Sequence, residues 1–157
     1  MNIEIRRMTD ADIPSVSDIV SAGHRFLAQK HGYSDDQLAA LLRDRSSQSA
    51  IASWPSSWRR WIAERQGNVV GVVAVEGNEI HQLFVRPENH RQGVGKKLFA
   101  TAEDAIRAAG HAALAVNTTG YATPFYQSMG ARVIDHHQCP DGPLRGRTLT
   151  RLKKSLA

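Results

Sequence analysis

The segment Leu83-Phe84-Val85-Arg86-Pro87-Glu88-Asn89-His90-Arg91-Gln92-Gly93-Val94-Gly95-Lys96-Lys97-Leu98 runs from an apolar strand, through a proline stop and two closely spaced glycines, into a helix. The first backbone N–H groups of a helix have no internal partners, and the helix dipole adds partial positive charge at that end. Gly93 and Gly95 omit side chains where a phosphate would otherwise meet a Cβ. Arg91, Lys96 and Lys97 add positive charge. This chemistry suits an anion, most directly a pyrophosphate. The plainer alternative is a glycine-bearing turn with no ligand. Two nucleotide-binding patterns fail on spacing. A dinucleotide fingerprint needs a third glycine where Leu98 stands. A P-loop needs four residues between its first glycine and a Gly-Lys-Ser/Thr end, and here Val94 alone separates the glycines.

Upstream of this segment, Trp58 to Arg65, Val69 to Val75 and Glu79 to Val85 read as three strands. Gly67-Asn68 and Gly77-Asn78 join them as hairpin turns. The run from Val69 to Val75 is apolar on both faces, which suits a central strand. Downstream, Lys96 to Ala109 reads as a helix ended by Gly110, with Leu98, Phe99, Ala102, Ala105 and Ile106 on one side. Ala112 to Val116 is a strand, Pro124 to Met129 a short helix, Arg132 to His136 a strand and Thr148 to Leu152 a last strand. At the start, Ile3 to Arg6 alternates as a strand. Capping-box patterns at Thr9 to Asp12 and Ser34 to Gln37 open two helices. Ser46 to Ser57, serine-rich and broken by Pro55, reads as a mobile loop. The expected architecture is an α/β domain with a mixed, mostly antiparallel central sheet flanked by helices.

The 157 residues fit one domain spanning 1–157, long enough to bury roughly 68–70% of the unfolded surface without staples. A single cysteine, Cys139, excludes an internal disulfide and a multi-cysteine zinc site. No stretch has the length and apolarity of a membrane span, so no membrane partner and a cytoplasmic location are expected. The net charge of +5 invites a nucleic-acid reading. Arg145, Arg147, Arg151, Lys153 and Lys154 carry that surplus in the last thirteen residues, which leaves residues 1–144 balanced. With no aromatic residues among these charges to stack on bases, the stretch reads as a solvated tail, and nucleic acid is not the expected partner.

From Glu79 to Ala109 the chain resembles the GNAT superfamily of N-acetyltransferases, whose motif is Arg/Gln-x-x-Gly-x-Gly/Ala between a strand and a helix. A second match follows in Val116-Asn117 and Ala122-Thr123-Pro124-Phe125-Tyr126-Gln127-Ser128-Met129-Gly130. It is similar to the family's Asn…Ala-x-x-Phe-Tyr-x-x-x-Gly-Phe signature. His90 replaces the usual Arg or Gln, and Ala131 the usual Phe. The order of strands and helices extends the likeness over nearly the whole chain and implies the GNAT acyl-CoA N-acyltransferase fold.

The resemblance implies acetyl-CoA as co-substrate, no metal, and direct transfer to an amine acceptor; a homodimer stays open. The amides of Arg91, Gln92, Gly93, Val94, Gly95 and Lys96 would face the pyrophosphate. Leu83, Phe84 and Val85 would run along the pantetheine arm, and Asn117 would donate to it or accept from it. An alkylamine of pKa ~10 is mostly protonated at neutral pH, so a base or a desolvated pocket must help. Glu79 and His81 are candidate bases. Strand alternation sets both on one face with Leu83 and Val85 if no bulge intervenes before His81. Tyr126 matches the family's general acid for the departing thiolate. Adjacent His136 and His137 point to opposite faces of a strand and give no metal pattern. Trp54, Trp58 and Trp61 are candidates to line an acceptor pocket, with Trp61 the one expected in the core instead. Acyl-CoA binding without turnover is the competing reading.

Overall fold

The computed structural model describes residues 2–157. Strand β1 (Ile3–Arg7) leads through a 3-10 turn at Asp10–Asp12 into α1 (Ile13–His31), α2 (Asp35–Asp44) and α3 (Gln48–Ala52). The meander β2 (Arg59–Arg65), β3 (Asn68–Glu76) and β4 (Glu79–Val85) follows, then α4 (Val94–Ala108), β5 (Ala113–Thr118), α5 (Thr123–Ser128), β6 (Arg132–Gln138) and β7 (Thr148–Ser155). The seven strands form one sheet in the order β1-β2-β3-β4-β5-β7-β6. Every neighbouring pair is antiparallel except β4–β5.

The sheet buries a layer on each face. On one side α4 sets Leu98, Phe99, Ala102 and Ile106 against Val73, Val75, Ile80, Leu114 and Leu152. On the other, Val16, Ile19 and Val20 of α1 join Ile51 of α3 over Ile62 and Val72. The doubly apolar β3 sequence serves both layers, as its composition requires. The capping box of α2 forms as the sequence indicates: the Gln37 amide donates to Ser34 Oγ at 3.0 Å, and Gln37 Oε1 accepts from the Ser34 amide at 3.0 Å.

Two expectations change. The serine-rich stretch holds the short helix α3, because Ser47 Oγ caps the Ala50 amide at 3.1 Å and Ile51 is fully buried. The same serines that suggest a loop supply the cap. The basic C-terminal stretch is not a solvated tail either. It includes β7, an inner strand between β5 and β6, and Arg147, Arg151 and Lys154 are engaged. Arg147 donates to the carbonyls of His31 and Gly32 at 3.0 and 3.1 Å, and Lys154 pairs with Glu103 at 2.7 Å. Among the described residues no helix is long and apolar enough to cross a membrane.

Candidate active site

The parallel pair β4–β5 lasts for two register positions, Glu79 with Ala115 and Ile80 with Val116, and then the strands part. Beyond that point β4 pairs only with β3, and β5 only with β7. The Arg86 amide donates to the Val70 carbonyl at 2.9 Å. Antiparallel alternation therefore turns the N–H and C=O of Val85 and Leu83 away from β3, into the opening, while those of Phe84 face β3. The Phe84 ring points to the α1 side, edge-on to His24 at 5.3 Å, whereas Leu83 and Val85 pack toward α4. An extended chain laid in the opening finds outward main-chain groups at alternate residues, as an added strand would, although His90 already occupies the Val85 carbonyl.

The opening leads into the turn before α4. This helix begins at Val94, two residues earlier than its hydrophobic pattern suggests. Its first main-chain bond runs from the Lys97 amide to the Gly93 carbonyl at 3.1 Å, so the amides of Val94, Gly95 and Lys96 lie ahead of any helical partner. Arg91 and Gly93 are left-handed, with φ of 62° and 87°, the kind of turn geometry that converges amides on an anion. The two glycines differ in purpose. A Cβ at Gly93 meets nothing within 4 Å, which leaves room for a ligand, whereas one at Gly95 lies 3.3 Å from the Phe125 ring. The steric reason the sequence suggests for both glycines is compatible with Gly93, whereas at Gly95 the missing Cβ also admits a packing ring.

Side chains around the turn hold its shape. Gln92 Oε1 accepts from Asn89 Nδ2 at 3.3 Å and from Arg65. His90 Nε2 hydrogen-bonds with the Val85 carbonyl at 3.0 Å, and its ring meets Phe26 of α1 edge-on at 5.2 Å. Lys97 is drawn off to the Ile3 carbonyl at 3.0 Å, while Arg91 and Lys96 are exposed and make no hydrogen bond or ion pair among the described residues.

A β-bulge separates the two candidate bases. Ala74 is opposite Gln82 while Val75 is opposite Ile80, so His81 is the extra residue. The bulge reverses the alternation: Ile80 joins the α4 side with Leu83 and Val85, and Glu79 falls on the opposite face. The shared face expected for Glu79, His81, Leu83 and Val85 does not form. His81 stacks flat on Trp58, with centroids 4.7 Å apart and planes 2° from parallel. Its Nε2 lies 3.8 Å from Glu76. Glu79 is held instead by Arg151 of β7 at 2.9 Å, and Arg151 also donates to Asn117 Oδ1 at 3.3 Å. Asn117 lies within β5 rather than beyond it. Thr148 to Leu152 reads as a strand in the sequence, but nothing there singles out Arg151 as a functional residue, because its basic neighbours read as a tail.

Tyr126, on α5, is buried, 5% exposed, among Phe99, Phe125 and the α4-side core. Burial pushes its phenol up from the ordinary value, so it stays protonated through the neutral range. Burial, with Arg45 nearby, pushes His24 down to about 4. Of the three tryptophans, Trp54 and Trp58 lie together, centroids 5.6 Å apart, beside His81. Trp61 packs on the α4-side core, as its size leads one to expect. His136 pairs with Thr150 and His137 with Asp135. No metal-holding group of three is present among the described residues.

Comparison with known proteins agrees with this fold. The structure is similar to a GCN5-related N-acetyltransferase from Rhodopseudomonas palustris, at 24% identity and a TM-score of 0.89, covering 99% of this chain and 97% of that one. It is similar to the PaiA N-acetyltransferase from Thermoplasma acidophilum, solved with coenzyme A, at 17% identity and a TM-score of 0.82, covering 99% of both. The ribosomal-protein-S18-alanine N-acetyltransferase from Escherichia coli matches at 17% identity and a TM-score of 0.69, over 99% of this chain and 95% of that one. A family profile, the acetyltransferase (GNAT) domain, matches residues 29–144, which take in the parting strands, the Gly93 turn and Tyr126. The chain belongs to the GNAT family of acetyltransferases, with acetyl-CoA as its co-substrate.

Proposed function

We propose that the chain, as one domain over residues 1–157, transfers the acetyl group of acetyl-CoA directly to a primary amine of a small molecule or peptide. The observation that carries this reading is the parting of β4 from β5 after Ile80. The outward main-chain groups of Leu83 and Val85 then lead into the left-handed turn at Gly93. An extended amide-bearing arm and a pyrophosphate in series match that order of groups. Leu83 and Val85 bond the arm, Phe84 backs it from the α1 side, and Asn117 meets it from β5. The amides of Arg91, Gln92, Gly93, Val94, Gly95 and Lys96 meet the diphosphate.

Acetyl-CoA supplies an activated thioester. The amine must lose a proton before its nitrogen can form the new C–N bond, and Glu79, directly or through a water, accepts it. A main-chain N–H of β4 at the opening steadies negative charge on the carbonyl oxygen. As the C–S bond breaks, Tyr126 gives its proton to the sulfur. The desolvation that holds the phenol's proton also raises the proton affinity of a thiolate formed beside it. His81, on its bulge with Trp58, serves the acceptor side rather than proton removal.

A thiol-release assay with acetyl-CoA and a panel of amino acids, polyamines, aminoglycosides and lysine peptides tests the reading. Turnover with at least one class is expected. Coenzyme A binding without turnover on any of them overturns transfer and leaves an acyl-CoA-binding protein.

A further inference from the structure

The face of the sheet opposite α4 carries one polar bridge across the point where β4 and β5 separate. Glu79 stands at the start of β4, beside Ala115 of β5. Asn117 lies two residues further along β5, so it shares a face with Ala115 and Glu79. Arg151 is directly opposite Asn117 on β7. Its guanidinium spans both: one nitrogen donates to Glu79 Oε1 at 2.9 Å, the other to Asn117 Oδ1 at 3.3 Å. Glu79 and Arg151 are both about two-thirds covered, with side chains 32% and 30% exposed, so water screens the pair less than it does a surface ion pair.

Two consequences follow from donor and acceptor chemistry. Arginine has only donors, so the Asn117 atom it meets is the amide oxygen, and the NH2 of Asn117 is left for another acceptor. Asn117 thereby becomes a donor toward the opening. Glu79 has one oxygen committed to Arg151 and the other uncommitted, which fixes the direction in which it can receive a proton. The other charged groups on this face are Glu76, opposite Glu79 on β3, His81 near Glu76, and Lys153, opposite Ala115 on β7. Among the described residues none of these three makes an ion pair with Glu79.

We propose that Arg151 is a positioning residue that sets the proton-accepting carboxylate of Glu79 and the arm-binding amide of Asn117 at once, through a single planar guanidinium. This assignment rests on the transferase reading for its Glu79 half and on coenzyme A binding for its Asn117 half. A planar fork reaches two oxygens in fixed directions, which an ammonium group cannot do as well.

Double-mutant cycles test it with two separate readouts. Arg151→Met is expected to lower kcat about tenfold and raise the coenzyme A Kd about threefold, and each loss should shrink to within about twofold once its partner is gone. Thus Arg151→Met should leave kcat unchanged in a Glu79→Gln background, and Kd unchanged in an Asn117→Ala background. Arg151→Lys is expected to recover part of kcat and little of Kd. Full, additive losses in both backgrounds overturn the proposal, since they mark a general structural role. Circular dichroism checks each variant, with Arg151→Gln replacing Arg151→Met if the latter unfolds. Wild-type protein that binds coenzyme A yet acetylates no amine overturns the transferase reading instead. The Kd cycle, which needs no turnover, then decides the Asn117 half alone.

Discussion

The two faces of the opening between β4 and β5 are built from different material. The face toward α4 and the Gly93 turn is mostly main chain: outward groups of Leu83 and Val85, the leading amides of α4, and glycines at φ 87° or against a ring. The opposite face is all side chain, with Glu76 and Glu79 from the β3–β4 hairpin, Trp58 from the loop before β2, Asn117 from β5 and Arg151 from β7. A main-chain site depends on backbone conformation and tolerates many residues at most positions. A side-chain site depends on identities contributed by segments far apart in the chain. The first should therefore fail at few positions and completely, the second at many positions and by degrees.

The sharpest way to break this comparison is Gly93→Glu. The substituted Cβ finds open space, so the fold has room for it. The left-handed φ costs about 1–2 kcal/mol, and the carboxylate enters the space proposed for a diphosphate. Coenzyme A affinity, measured by calorimetry, should fall at least a thousandfold, of which backbone strain explains no more than about thirtyfold. Gly93→Ala should show the strain portion alone. Arg91→Ala, which removes charge without touching the amides, should lose only a few-fold, and the deficit should narrow at high salt. Equal losses in all three would mean that the turn binds through side chains.

The opposite face rests on α1, where His24 is 9% exposed and its Nδ1 lies 3.3 Å from Ser46 Oγ. His24 is pushed down to about 4 from an ordinary 6.5, so the unfolded chain binds more protons than the native one between those values. Stability should then be complete above pH 6.5, decline as pH falls toward 4, and level off below that. The loss should approach ~3 kcal/mol. Denaturant melts across that range would show it, and His24→Gln should flatten the slope. An unchanged slope in that variant would move the pH dependence to another group: first His31, also pushed down by burial and by Arg147, and only at lower pH Asp12, whose carboxyl Arg6 holds below the usual range.

Between the candidate bases, Glu79→Gln should lower kcat about a hundredfold, the low end for general-base loss. His81→Gln should change kcat less than about threefold, acting mainly on the amine KM through the Trp58 stack. The reverse ranking would bring the bulged imidazole back as the base.

How legible each face was in the sequence follows from its material. The strand, turn and helix of the cradle are contiguous, from Leu83 to Leu98, and glycine spacing is a local signal. Secondary structure was legible for the same reason, including both capping patterns and the central β3. The bulge at His81 was not, because Glu79-Ile80-His81-Gln82 carries no glycine or proline to mark an extra residue, and only the β3 register reveals it. Arg151 is placed by the sequence on a last strand from Thr148 to Leu152, but its partners were not legible, because Asn117 and Glu79 lie 34 and 72 residues away in the chain. Helix α3 was hidden because five residues are too few for a periodic pattern, and one buried isoleucine sustains it.

Tyr126→Phe gives the smallest expected effect and the finest distinction. The phenol is in the α4-side core, and among the described residues its hydroxyl has no hydrogen-bond partner to lose, so removing that hydroxyl should leave stability within about 1 kcal/mol. As proton donor to sulfur it acts only while the C–S bond breaks, so kcat should drop about tenfold with the acetyl-CoA KM unchanged. The drop should shrink for an acyl donor whose thiol has a lower pKa, because a better leaving group needs less protonation. An equal drop with both donors would place the loss in packing around Phe99 and Phe125 rather than in proton transfer. Tyr126 would then belong to the core of the cradle face and not to its chemistry.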